Sequence, residues 1–432
     1  MPWTVFLLLL ASIPSFLSPC SAEDYTFDLD EIEKRPFNLG GYAEIRPTLY
    51  KTDRDAALYR LRFYNRDESS TLEKYDMTLQ LEAGYEKGIA RAFLRTNSNL
   101  NHTYEGWSGK TTLYEGFLSL KPSQSLKIDI GKKTLKWGTG YAWSPAAFFD
   151  RPRDPDDPAL DLEGFFVFSL DYIKSFDGPL KTFSFTPVVL PVYGDMNRDF
   201  GEDRHLNFGA RFYFLFLDTD IDLMFLSGGS KTSRYGVDFS RNITSNFEIH
   251  GELAWVKDFH KTSIDRDGRP FETRSSVWSY LLGIRYLSAR ETTYILEYFR
   301  NGTGFTEREM AGYLSFIERG YDRYIRTGND AMLRRASGPA QGGYGRMNPM
   351  RDYLYFRVSQ KEPFDILYFT PSLTCIFNMD DKSLSVSPEL VYTGVANLEL
   401  RLKAVMLIGD RFSEYGEKQN DRRLELRARY YF

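Results

Sequence analysis

Apolar and polar residues alternate with a period of two through most of this chain, which marks strands with two unlike faces. In the stretch from Asp421 to Phe432, Leu424, Leu426, Ala428, Tyr430 and Phe432 hold one parity, and Arg423, Glu425, Arg427, Arg429 and Tyr431 the other. Upstream, Leu398, Leu400, Leu402, Ala404 and Met406 oppose Glu399, Arg401 and Lys403, while Phe247, Ile249, Leu253 and Trp255 oppose Glu248, His250 and Glu252. The pattern predicts strands near 40–50, 58–66, 73–86, 89–98, 111–120, 125–135, 164–173, 180–190, 205–216, 219–227, 234–241, 246–258, 274–287, 291–300, 351–360, 366–378, 383–394, 397–408 and 421–432. A soluble sandwich shows so charged a face once, at an edge. Its recurrence fits a transmembrane β-barrel, apolar toward lipid and polar toward the lumen.

The connections carry a second rhythm. From residue 86 onward tight links, such as Glu86-Lys87-Gly88 and Lys121-Pro122-Ser123-Gln124, alternate with long ones such as 99–110 and 136–163. Bacterial barrels have short periplasmic turns and longer extracellular loops, so the last strand runs down to a periplasmic end. The segments are odd in number where such barrels have an even count, which places one miscounted segment before residue 86. The expected fold is all-β: a transmembrane antiparallel barrel of about 18 strands, within a range of about 16–20, with long extracellular or lumen-folded loops. A propeller or solenoid would show a fixed-period repeat, and none is visible.

The aromatic ending of the final strand resembles Gram-negative outer-membrane proteins, whose last strand commonly ends in Phe after alternating apolar residues. That resemblance implies residence in the outer membrane after export across the inner one, contact with its lipid, and recognition by the barrel-assembly machinery through the strand ending at Phe432.

Composition agrees. Tyr (29), Phe (34) and Trp (6) bring the aromatic share to 16%, which supplies strand propensity and interfacial girdles. Mean hydropathy is nevertheless −0.42, and no run of about 20 apolar residues exists to form a membrane helix. A net charge of −4 gives nucleic-acid binding no support. Val5 to Leu17 is largely apolar and leads to Cys20-Ser21-Ala22, so residues 1–22 read as a secretory signal, although no Lys or Arg stands near Met1. A lipoprotein-type site at Cys20 is the alternative, and Pro19 fits it poorly. Residues 23–37 read as an irregular acidic segment and 38–432 as the barrel. With Cys20 removed, Cys375 has no partner for a disulfide within the chain.

Two long loops stand out. The first follows Gly131-Lys132-Lys133-Thr134 and runs from Trp137 to Gly164. Gly138 and Gly140 permit unusual backbone angles, Pro145, Pro152, Pro155 and Pro158 stiffen the path, and Trp137, Tyr141, Trp143, Phe148 and Phe149 are available as anchors. This loop is expected to fold into the lumen, with Trp137, Arg151, Arg153, Asp154, Asp156, Asp157, Asp161 and Glu163 forming the constriction and setting charge selectivity. The competing reading pairs Arg151 and Arg153 with the acids in a loop that merely caps the barrel. Gly-Lys-Lys followed by Trp-Gly and such a loop is similar to porin-like families, including alginate-export-type barrels. Calcium binding by Asp154 to Asp161 is disfavoured because Pro155 and Pro158 break the ligand spacing.

The second loop spans Asn301 to Met350. Met310, Leu314, Ile317, Tyr321 and Tyr324 recur at helical spacing within 306–327, and a Gly- and Pro-rich stretch follows from Gly338 to Pro349. That helix either plugs the lumen, presents an apolar face to a partner, or packs on the rim.

Charges on the polar parity predict a lumen lined by Arg60, Arg62, Glu82, Asp129, Arg211, Glu248, His250, Glu252, Arg357, Glu399, Arg401 and Arg427, together with Asp222, Arg285, Glu297 and Glu425. Mixed signs argue against a strongly selective tube, and a water-filled lumen solvates both. His102, His205, His250 and His260 are too dispersed for a metal site or a catalytic triad, and no C-x-x-C-H is present to attach haem. No enzyme activity, cofactor or metal is expected. The chain reads as a porin-like channel for passive passage of small hydrophilic solutes or ions. The alternative is a barrel sheath housing a partner, such as a periplasmic or extracellular multihaem c-type cytochrome, in an electron conduit across the outer membrane.

Overall fold

A computed structural model describes residues 36–432 except 67, 68 and 266. The signal segment and nearly all of the irregular acidic segment lie outside the described residues; strand structure begins at Phe37. Eighteen strands form one closed antiparallel sheet. They are β1 (Phe37–Thr52), β2 (Thr71–Lys87), β3 (Ala90–Thr103), β4 (Gly106–Ser123), β5 (Leu126–Lys133), β6 (Phe165–Ser175), β7 (Leu180–Val192), β8 (His205–Phe216), β9 (Thr219–Leu226), β10 (Arg234–Thr244), β11 (Phe247–Ile264), β12 (Pro270–Leu287), β13 (Thr292–Arg300), β14 (Asp352–Gln360), β15 (Phe369–Asn378), β16 (Leu384–Val395), β17 (Leu398–Ile408) and β18 (Asn420–Tyr431). Each strand pairs with its sequence neighbours, and β1 pairs with both β2 and β18, with Ala43 opposite Tyr430 at the seam.

The wall is inverted relative to a soluble protein. Leu79, Leu81, Leu94, Leu282, Leu390, Leu402, Leu424 and Leu426 are exposed on the outer face, while Glu44, Asp76, Gln80, Asn97, Glu115, Asp129, Glu297 and Arg427 are buried on the inner one. That arrangement is stable only where lipid bathes the outside. Near the long-loop end, Phe225, Tyr235, Trp255 and Trp278 on successive strands form a row with ring centroids 6.2, 5.5 and 5.9 Å apart. Rows of this kind are the interfacial girdles of membrane barrels.

The predicted strand over 58–66 is instead a helix, α1 (Ala57–Phe63). The error has a physical cause. Tyr59 and Phe63 pack on one apolar cluster with Tyr104, while Ala57 and Leu61 pack on another with Phe316 and Ile317. Two i, i+4 pairs, offset by two residues, reproduce the period of a strand. Removing this segment leaves the even count. The link expected over 99–110 is also shorter than predicted, because β3 and β4 extend to Thr103 and from Gly106.

The second long loop holds α2 (Glu307–Thr327) and α3 (Ala331–Gln341). Thr306 and Glu309 form a reciprocal capping box at the start of α2, and Gly328, at φ 69°, ends it. The second helix runs into the stretch read as Gly- and Pro-rich, with Pro339 in its last turn. Met310, Tyr313, Leu314, Phe316 and Ile317 of α2 are buried in a cluster with Trp143, Phe299, Tyr353, Tyr355 and Tyr415. The loop helices, the first long loop and the wall thus share one apolar core.

Candidate constriction and outer vestibule

The 134–164 loop is fastened to itself before it is fastened to the wall. Backbone N–H groups of Leu135 and Trp137 each donate 2.9 Å bonds to Asp150, and Thr134 Oγ1 donates to Leu162 O at 3.1 Å. Burial pushes the Asp150 carboxyl up, and those N–H groups oppose the shift. Trp137 is 2% exposed, its ring edge-on to Phe149 at 5.2 Å, within a cluster that includes Phe165, Leu190 and Leu226. It anchors the loop root.

The middle of the loop hangs from two wall carboxylates. Glu252 Oε1 on β11 accepts the N–H groups of Thr139 and Gly140, both at 2.7 Å, and its Oε2 accepts that of Ala146 at 3.1 Å. On β13, Glu297 accepts the N–H groups of Tyr141 and of Ala142, the latter at 2.8 Å. Charge-assisted bonds of this kind are roughly twice as strong as neutral ones. The glycines are required here: Gly138 has φ +88°, and a Cβ on Gly140 would stand 2.0 Å from Trp143 O. Trp143 stacks on Phe299 at 5.0 Å.

The far part of the loop reaches other sectors of the wall. Asp157 receives Arg427 at 2.8 Å and Arg401 at 3.4 Å, and Asp156 O accepts from Lys403. Burial works against ionisation of Asp157, but the Arg427 and Arg401 guanidinium groups outweigh it and hold the carboxyl below its ordinary range. Asp161 meets Arg95 at 3.4 Å, and Glu163 pairs with Lys132 and, at 3.5 Å, with Arg151. Asp154 accepts the N–H of Asp156. Bonds to β3, β5, β11, β13, β16, β17 and β18 therefore hold the loop across the barrel interior.

The remaining predicted wall residues are largely paired. Glu82 meets Arg95 at 2.7 Å, Arg211 makes a two-pronged contact with Asp222, Arg357 and Arg401 share Glu389, Arg401 also takes Glu399, and Arg427 takes Glu425. Asp129 accepts from Ser119 and Lys133, and Glu248 lies 3.8 Å from Arg285 and 3.4 Å from His250. Arg60 and Arg62 belong to α1, where Arg60 reaches Glu318 of α2 and Arg62 reaches Tyr104.

With the acids so engaged, cations dominate one side of the loop. A cavity of about 480 Å³ lies there, lined by Trp143, Phe148 and Phe299 and by Arg95, Lys136, Arg151, Arg153 and Arg234. Its two acids are committed, Asp150 to backbone N–H groups and Asp161 to Arg95. Arg153 donates to Gly140 O, and among the described residues neither it nor Arg234 has a carboxylate partner. Beside them Lys231 places its ammonium 3.8 Å from the centre of the Phe200 ring. Burial, with Arg234, Arg151 and Arg346 nearby, lowers the Lys231 amine to about 7. Sequence reasoning does not select Lys231, Arg234 or Arg346, although Lys231 and Arg234, three residues apart at the start of β10, are a visible basic pair.

No protein-family model matches the chain, and no characterised protein matches it in sequence. Its fold does match solved structures. Pseudomonas aeruginosa OccK11 (OpdR) aligns with a TM-score of 0.53 at 11% identity over 91% of this chain and 95% of that one. P. aeruginosa OpdQ aligns at 0.53 and 10% identity over 92% and 97%, and the outer membrane protein OprD at 0.50 and 11% over 91% and 94%. This chain has the fold of Gram-negative outer-membrane porin-like barrels. At such identities the likeness establishes the fold alone.

Proposed function

We propose that the protein is an outer-membrane channel for small hydrophilic solutes, constricted by the 137–164 loop and favouring anions at its outer vestibule. The observation that carries this reading is the excess of cations on one face of the loop: among the described residues Arg153, Lys231 and Arg234 form no ion pair, while Asp156, Asp157, Asp161 and Glu163 are held by basic side chains. In this reading Arg151 and Arg153 meet the solute, and the loop acids are tethers more than filters. Rings of basic side chains select anions in pores. The shared fold with outer-membrane porins supports the location and the channel class. The loop's bonds to several wall sectors weigh against a sheath around a multihaem cytochrome, which needs an unobstructed bore.

The test is the reversal potential of single channels in a planar bilayer under a potassium chloride gradient. An anion-selective potential that falls toward zero in an Arg153→Gln/Arg234→Gln double variant supports the reading. Cation selectivity, or silence from a folded barrel, overturns it.

A further inference from the structure

The turn between β14 and β15 differs from every other connection at its end of the barrel. Most of those links are two to four residues long, whereas this one runs from Lys361 to Tyr368. Phe364 is 93% exposed, and Ile366, Leu367 and Tyr368 beside it are also exposed. Four of its side-chain-bearing residues, Glu362, Phe364, Asp365 and Tyr368, have φ between 49° and 63°. That left-handed region is disfavoured for residues with a Cβ, so the sequence accepts backbone strain in order to present this turn.

The presentation is rigid. Glu362 N donates to Phe369 O at 2.8 Å and Tyr368 N to Glu362 Oε1 at 2.9 Å, which closes the base of the turn. Lys361 N bonds to Glu291 O of the adjacent β12–β13 link, and Thr393 N of β16 bonds to Tyr368 O. Both neighbours therefore hold the base within the wall, leaving the apolar tip free.

Continuity identifies what covers that tip. Outward-facing Tyr294 on β13 and Leu390 and Tyr392 on β16 are exposed on the same sector, and Tyr392 lies opposite Phe369 in the ladder. The apolar surface thus runs without a break from the lipid-facing wall into the turn. Two other links at this end, at Ile89 and Leu217, and the strand ends at Ile243 and Leu287 also bring an exposed apolar residue to the same rim.

We infer that the Lys361–Tyr368 turn is an interfacial anchor, with Phe364, Ile366, Leu367 and Tyr368 seated in the phospholipid leaflet on the short-turn side. Aromatic and aliphatic side chains at that depth gain from leaving water while the strained backbone keeps its polar groups at the headgroups. The anchor fixes one sector of the barrel in depth, independently of what passes through the lumen.

The experiment uses the full chain carrying Phe364→Trp, with Leu367→Trp as the second variant. Each is refolded into phosphatidylethanolamine–phosphatidylglycerol vesicles and read as the difference in emission from the unsubstituted protein. Both proteins must still shift on a gel between heated and unheated samples. The expected result is a blue-shifted added signal, largely lost when the acyl chains are brominated and protected from aqueous iodide. An added signal at the wavelength of free indole, quenched by iodide and untouched by brominated lipid, would place the turn in water and overturn the anchor. Shielding that appears only in native membranes, and not in lipid vesicles, would assign the turn to a protein partner instead and overturn it equally.

Discussion

His250 Nε2 lies 2.9 Å from Glu297 Oε1, the same carboxylate oxygen that accepts the backbone N–H of Tyr141. Gly283 lies opposite both of them in the ladder, on β12 between their strands. A Cβ there would stand 2.1 Å from His250 Nε2. Gly283→Ala should therefore push the imidazole off Glu297 and loosen the loop. Each charge-assisted bond lost costs about 1.5–3 kcal/mol. Single-channel recordings should show larger and noisier steps for Gly283→Ala and for Glu297→Gln, with the barrel still heat-modifiable; unchanged records would show that the loop does not depend on this brace.

Arg427 is 3% exposed at its side chain and binds Asp157 and Glu425. Arg427→Gln leaves Glu425 without its cation in a buried setting and Asp157 with Arg401 alone, a loss of up to about 3–5 kcal/mol, the cost when one partner of a buried pair is removed. The temperature at which the folded band disappears on unboiled gels should fall. The conductance should change as well, because the tether at the far part of the loop is lost.

Lys231 predicts a pH dependence of selectivity. Its amine, lowered to about 7, carries charge below that pH and loses it above. Anion preference should be greater at pH 6 than at pH 8.5, and Lys231→Met should show the weaker preference at both. A pH dependence that survives in Lys231→Met would assign the effect to another group.

Glu414 predicts a pH dependence of stability. It is buried in the β17–β18 loop, accepts from Tyr353 Oη at 2.6 Å and Asn378 Nδ2 at 2.8 Å, and burial raises its carboxyl to about 7. The folded chain keeps this proton across a range where an unfolded carboxyl, near its ordinary value of about 4.3, has released it. Stability from this group is therefore complete below that ordinary value and is lost as pH rises through about 7. Glu414→Gln should flatten the dependence between pH 5 and 8, read as the unfolding temperature of the refolded barrel. An unchanged slope would exclude Glu414 as its source.

The wall was legible because lipid on one side and water on the other impose a period of two on nearly every strand, from β2 to β18. Where that solvent asymmetry ends, the signal becomes ambiguous. Ala57 to Phe63 alternates because two apolar clusters flank a helix, not because lipid flanks a strand. The 137–164 loop announced itself through Gly138, Gly140 and its prolines. Its acceptors did not. Glu252 and Glu297 look on paper like any solvated lumen carboxylates, and only the fold shows that backbone N–H groups from more than 100 residues away terminate on them. The vestibule was obscured for a related reason. Mixed signs along the wall argue against selectivity, and the 137–164 loop counts more acids than bases, whereas ion pairing engages Asp156, Asp157, Asp161 and Glu163 and leaves Arg153, Lys231 and Arg234.

The seam between β1 and β18 has a consequence in time. Arg429 on the last strand binds Glu44 on the first across 385 positions of sequence, and Gly41 exchanges two backbone bonds with Phe432. Until the final residues arrive, every partly built sheet has two open edges, each offering unpaired N–H and C=O groups to any passing strand. Closure so distant in sequence is slow, because loop entropy is lost before the contacts repay it. While the sheet is open the chain is prone to pair with its neighbours, and removal of β18 as a whole would leave a ribbon instead of a tube.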